Sequence, residues 1–248
     1  SETVREFVPR GYMSPDFTGD APAGEWKWPE WKIKAPLFAM LKLGDRERVL
    51  VLDVSDAKSK MFDRLYFDAN GNRDLSDDPV IAGKIQRNSG GSISVQFPPV
   101  DATVEVAGRT HPYRFQPSIY AYARESAKDS KAFPGLMIRF MLQIQCYYEG
   151  GFETAGKKRT VILADANGNG AFDDALSMVT NNSGRYVPGD AVYLAEKKPG
   201  YYDGSSFGNH WHLDGQLYAA ALDASREKLT LTLAEGPLHP VTLSGEAE

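Results

Sequence analysis

The feature that most narrows the fold is a short strand running into an oxygen-rich loop, and it occurs twice. Arg64–Phe67 leads directly into Asp68, Asn70, Gly71 and Asn72, followed by Asp74, Asp77 and Asp78. Thr160–Leu163 leads in the same way into Asp165, Asn167, Gly168 and Asn169, followed by Asp173 and Asp174. A fainter echo trails each copy. Val104–Gly108 precedes Tyr113–Phe115 much as His212–Gly215 precedes Tyr218–Ala220, and a further strand-like run closes each series, Leu136–Gln145 and Lys228–Leu233. Asn-Gly and Asp-Gly pairs reverse a chain sharply, so each copy reads as strand, turn, strand. Similar order in two places points to a duplicated β-rich unit.

The remaining apolar segments agree in kind. Leu37–Leu43, Val49–Val54, Ser92–Phe97, Leu136–Tyr148, Ala191–Leu194 and Gln216–Leu222 are short and rich in β-branched or aromatic residues. Turn signals separate them at Gly44 and Asp45, Ser89 to Gly91, Gly150 and Gly151, and Asp214 and Gly215. Helical patterning is scarce, with Tyr120–Lys131 the best candidate, and Thr180–His210 reads mostly as loop. The expected fold is mainly β, with two related antiparallel sheet-rich halves, sandwich- or barrel-like, and few short helices. Residues 1–35 form an irregular arm pinned by Trp26, Trp28 and Trp31, residues 36–135 the first half and 136–248 the second, each with its own loop.

Composition then limits the partners. Hydrophobic residues at 42% supply a core, but no apolar run reaches the roughly 18 residues of a membrane span. The net charge of −5 gives nucleic acid or an anionic membrane no general attraction, and favours a cation instead. The single cysteine, Cys146, excludes an internal disulfide and is expected to pack in a core strand. The chain starts at Ser1 without methionine, which reads as a processed or a trimmed form.

With Asp165 as position one, oxygen side chains fall at one, three, five and nine: Asp165, Asn167, Asn169 and Asp173. A hard cation such as calcium takes about six to eight oxygens, and a coiled loop aims those positions at one point. Ala171 adds its carbonyl at position seven, Gly170 permits the turn at six, Phe172 anchors the loop, and Asp174 is a further ligand candidate. The first loop offers Asp68, Asn70, Asn72, Asp74 and Asp77, but has Arg73 at position six and Ser76 at nine. Two calcium ions are therefore expected, the second loop binding more tightly. With two or three carboxylates per loop, affinity falls in the range of extracellular modules, and the protein is expected to be secreted or periplasmic.

The second loop resembles the first nine positions of an EF-hand loop, departing at position twelve, where Leu176 replaces the bidentate glutamate. It is more similar to the loop of integrin α-subunit propellers, which joins two strands. Taken together, Leu65–Asp68 through Asp77 and Asp78, with the later run Asp214 to Tyr218, resemble a group of uncharacterised exported bacterial proteins with repeated Asp-x-Asn-Gly-Asn calcium loops. That resemblance implies export and calcium loops and no particular activity.

Other chemistry is thinner. His210 and His212 share a strand face, but no spacing selects a third metal ligand among His111, His239, Cys146, Asp203 and Asp214. No nucleophile elbow and no phosphate-cradling glycine loop is present. Tyr147, Tyr148, Tyr201, Tyr202, Phe207 and Trp211 lie in or beside Gly-rich stretches, where rings either pack the sheet edge or stack on sugars or partner proteins. The expected function is a non-catalytic, exported calcium-binding protein that engages a glycan or protein ligand. The alternative is a secreted polysaccharide-acting hydrolase with structural calcium.

Overall fold

Hairpins in the computed structural model close where the sequence supplies residues able to take left-handed backbone. The structure describes residues 11–88, 90–124, 133, 135–154, 156–175, 177–180, 186–187, 189–195, 204–223 and 228–234. In chain order the strands are β1 (Tyr12–Met13), β2 (Leu37–Leu43), β3 (Arg46–Asp53), β4 (Arg64–Phe67), β5 (Ile81–Ala82), β6 (Lys84–Arg87), β7 (Ile93–Gln96), β8 (Val100–Val106), β9 (Arg109–Ala123) and β10 (Leu136–Ile144). They continue with β11 (Tyr147–Thr154), β12 (Lys157–Ala164), β13 (Ser177–Thr180), β14 (Tyr186–Val187), β15 (Ala191–Ala195), β16 (Ser205–Ser206), β17 (His210–Leu213), β18 (Gln216–Leu222) and β19 (Leu229–Leu233). Gly44 turns β2 into β3 at φ 61°, where a Cβ would lie 2.2 Å from the Glu105 carbonyl oxygen, so glycine alone fits. Asp214 and Gly215, at φ 51° and 80°, form the two-residue turn joining β17 to β18.

The fold is mainly β and its strand pairs are antiparallel, as the sequence predicts. One sheet runs β2-β3-β4-β5 and another β11-β12-β15-β16. The largest runs β1-β10-β9-β7-β6, with β8 also on β9; β13 pairs β14, and β17, β18 and β19 form a meander. The chain divides into two compact units, residues 1–207 and 208–248, the second built on the β17–β19 meander. Within the first unit the packing is sandwich-like: Phe67 of β4 meets Phe115 of β9 edge to face at 5.1 Å, among buried Leu50, Leu52, Leu65 and Ile119. Among the described residues no helix is long and apolar enough to cross a membrane.

Three local expectations are corrected. Tyr120–Ala123, placed in a helix by sequence, belongs to β9, and residues 125–131 lie outside the described ones. Pairing decides this: Ala121 meets Ile138 on one side and Ile93 on the other, and Tyr113, Phe115, Ile119 and Ala121 alternate inward. Leu136–Tyr148 is two strands, and Cys146 sits half-buried at the corner between them rather than inside one. Gly150 and Gly151 do not turn; they pair with Val161 and Thr160 inside β11.

Pairing of β9 with β10 crosses the division expected at residues 135 and 136. The N-terminal arm is tied down at several points. The N–H groups of Lys32 and Ile33 donate to the buried Asp53 carboxylate, while Trp28 and Trp31 meet Phe38 edge to face at 5.3 and 6.1 Å. Farther back, the Gly11 carbonyl accepts from the Ile144 N–H, which brings the arm beside Asp165.

Candidate metal centre

Each oxygen-rich loop leaves a central strand of its sheet, and local Asx hydrogen bonding coils it. In the loop after β12, Asp165 is buried and organises the backbone. Its Oδ1 accepts from the N–H groups of Gly168 (2.6 Å) and Asn169 (3.2 Å). Its Oδ2 accepts from the Gly170 N–H (2.7 Å) and the Tyr113 hydroxyl (2.6 Å). Four donors match the roughly four lone-pair sites of a carboxylate. Gly168 and Gly170 stand at φ 77° and 84°, and a Cβ on Gly170 would lie 2.9 Å from the Gly44 nitrogen.

The remaining side chains of this loop converge on Asp174. Asn167 Oδ1 accepts from the Asn169 N–H (3.1 Å) and Asn169 Oδ1 from the Ala171 N–H (2.8 Å). The two amide NH2 groups donate to one oxygen, Asp174 Oδ2, at 3.2 and 2.6 Å. Ala171 and Asp173 are half-buried, Phe172 is buried as an anchor should be, and Leu176 lies outside the described residues. Sequence reasoning missed Asp190, which is fully buried and accepts from the N–H groups of Ala166 (3.1 Å) and Asp174 (2.8 Å). No signal marks it, because it stands outside the loop on the approach to β15.

The loop after β4 has a similar backbone and a different charge environment. Positions four and six are again left-handed, Gly71 at φ 72° and Arg73 at 64°. Asp68 accepts from the N–H groups of Asn72 (3.1 Å) and Arg73 (3.3 Å), Asn70 from Asn72 (2.9 Å) and Asn72 from Asp74 (2.7 Å). Asp77 Oδ2 accepts from the Asn72 amide at 2.9 Å. Asp78 plays the part of Asp190, accepting from the Ala69 N–H at 3.3 Å. Leu75 is fully buried beneath the loop.

Here, however, cations come from the protein. Lys27 Nζ lies 2.8 Å from Asp74 Oδ2, and with the Ser76 hydrogen bond it holds that carboxyl below its ordinary range. Arg48, 2% exposed, donates to the carbonyls of Asp68, Ala69 and Thr103. At the second loop, Asp165, Asp174 and the neighbouring Asp190 form no ion pair with a lysine or arginine among the described residues. Burial, joined by the charges of Asp165 and Asp174, pushes Asp190 up to about 8, and burial raises Asp165.

The second loop can accept a hard cation only in a particular way. Each Asn Oδ1 keeps a second lone pair, Asp174 keeps Oδ1, and position seven has a carbonyl, so the donor set is all oxygen. Among the described residues no three His, Cys, Asp or Glu side chains group to hold a metal. An ion would therefore rest on amide and carbonyl oxygens with Asp174, while Asp165 shapes the loop.

The other candidates disperse. His210 and His212 are both exposed on one face of β17, Phe207 and Trp211 are buried, and Tyr201, Tyr202, Asp203 and His239 lie outside the described residues. Burial pushes the Cys146 thiol up to about 11, which keeps it protonated and unreactive at neutral pH. Comparison with protein-family models, with curated proteins and with solved structures returns no match.

The raised carboxyls make a pH prediction. A carboxyl whose folded pKa lies above its unfolded value binds its proton more tightly when folded, so stability is greatest in acid and falls as pH rises through the folded value. In chelator, stability should therefore decline between the unfolded carboxyl range, about pH 4, and the Asp190 value of about 8. Asp190→Asn should flatten that slope. Denaturant melts at several pH values measure it, and a slope unchanged by the substitution would contradict the assignment.

Proposed function

We propose that this is an exported calcium-binding β-protein, secreted or periplasmic, whose ions are structural rather than catalytic. The observation that carries the reading is the group of carboxyls at the second loop, Asp165 and Asp190 buried and Asp174 half-buried, with no basic partner among the described residues. A divalent cation on Asp174 and the Asn167 and Asn169 oxygens offsets that charge. So few formal charges give weak binding of the kind extracellular calcium modules use, which supports the reading of export. The two loops are read as copies of one unit, the first of which uses Arg48 and Lys27 where the second uses an ion.

The order of affinity follows. Calorimetric calcium titration should show the tighter site lost in Asp174→Asn and only a weaker one altered in Asp77→Asn. Loss of the tight site with Asp77→Asn alone would reverse the assignment. The hydrolase reading needs a carboxyl open to a cleft. Asp190 borders one of about 380 Å3, but both its oxygens hold backbone N–H groups. That favours a structural role for it.

A further inference from the structure

A second cleft, of about 570 Å3, opens where the β8–β9 hairpin faces the start of β11. Its size lies within the usual range of small-ligand sites. Its walls are aromatic: Tyr148, Phe172 and, deeper, Tyr113. Its polar groups are Asp101, Arg114 and Gln145. Asp101 and Arg114 face each other at 3.6 Å with exposed side chains, so the lining carries both signs and no net charge. Gln145 is oriented by its Nε2 donating to Gln116 Oε1 at 2.9 Å, which leaves its own amide oxygen as an acceptor. Flat apolar walls beside paired donors and acceptors of zero net charge suit a neutral ligand with an apolar face and a hydroxylated edge. A sugar ring has that chemistry.

The cleft also shares its walls with the second loop. Phe172 is position eight of that loop and stacks edge to face on Tyr148 at 4.7 Å, and the Tyr113 hydroxyl is the buried donor to Asp165. The cleft beside Trp26 is a poorer candidate, because that ring lies between Trp28, stacked at 5.6 Å, and the Arg73 guanidinium at 5.5 Å.

We propose that the Tyr148–Phe172 cleft binds a neutral saccharide and that the second loop holds its aromatic wall in place. The dependence on calcium, but not the cleft itself, rests on the reading of that loop as a calcium site.

The test is calorimetry or saturation-transfer NMR on the full chain in calcium, with neutral oligomers of glucose, mannose, xylose, galactose and N-acetylglucosamine. At least one should bind saturably, and Tyr148→Ala should weaken it by about tenfold, the scale of one aromatic contact. Arg114→Gln, at an exposed position, should weaken it similarly with an unchanged melting curve, and Trp26→Ala should leave it unaltered. Absence of binding to every oligomer, or binding that Tyr148→Ala and Arg114→Gln both leave intact, overturns the proposal. Binding that survives chelator unchanged upholds the cleft and removes its link to calcium, whereas calcium binding with no sugar binding removes the cleft alone.

Discussion

Replacing Asp165 by alanine is expected to cost about 3 kcal/mol or more, because each buried donor left without a partner costs about 1–3 kcal/mol. The carboxylate holds three backbone N–H groups and the Tyr113 hydroxyl, all in a loop packed against Gly44 and Val104. Relief of its own buried charge offsets part of that loss. For a chain of this size the fall in Tm should be on the order of 10 °C. Tyr113→Phe removes a single donor and should cost about 1 kcal/mol. Thermal melts of the two variants measure this, and an Asp165→Ala protein melting within a degree or two of the parent would show that the loop does not depend on its first residue.

Arg48→Met should be comparably damaging. The guanidinium leaves β3, reaches the carbonyls of Asp68 and Ala69 in the first loop, and with its other nitrogen reaches Thr103 in β8, so it ties two sheets together through one loop. Removing one partner from a buried charged network costs about 3–5 kcal/mol. Arg48→Lys should recover only part of this, since an ammonium lacks the planar fork that spans separate carbonyls. Arg48→Met should also strengthen calcium binding at the first loop, by removing a positive charge beside Asp68. Denaturant melts with calcium titration check both effects. A stable Arg48→Met protein with unaltered first-loop affinity would refute the charge-compensation argument.

The strands and the turn chemistry were legible because they are local. Leu37–Leu43, Arg64–Phe67 and Gln216–Leu222 form strands with the bounds read from sequence, and Leu75 and Phe172 anchor their loops as position eight implies. The alternation of β9 was equally present but was read only in part, and the strand runs on through Pro112 and Pro117, both at ladder positions. Partners that arrive from a distance left no local trace. Arg48 directly follows the exposed Arg46 and Glu47 at the charged start of β3, so nothing local sets it apart as buried; Lys27 belongs to an arm without pattern, Tyr113 comes from a different sheet, and Asp190 follows the loop it clamps after an intervening hairpin. Sequence spacing placed the oxygens of each loop in line but could not say which carboxylates would meet lysine or arginine and which would meet one another. That difference now separates the two loops.

The central claim is that calcium binds the native protein and stabilises it. Binding to the folded state alone adds about 2.7 kcal/mol at a hundredfold excess over Kd. At about 2–4 °C per kcal/mol, the melting midpoint in millimolar calcium should lie on the order of 5–10 °C above that in chelator. Asp174→Ala should lose most of that shift while Asp77→Ala keeps it. A midpoint that is the same in calcium and in chelator for the unaltered chain would contradict the account.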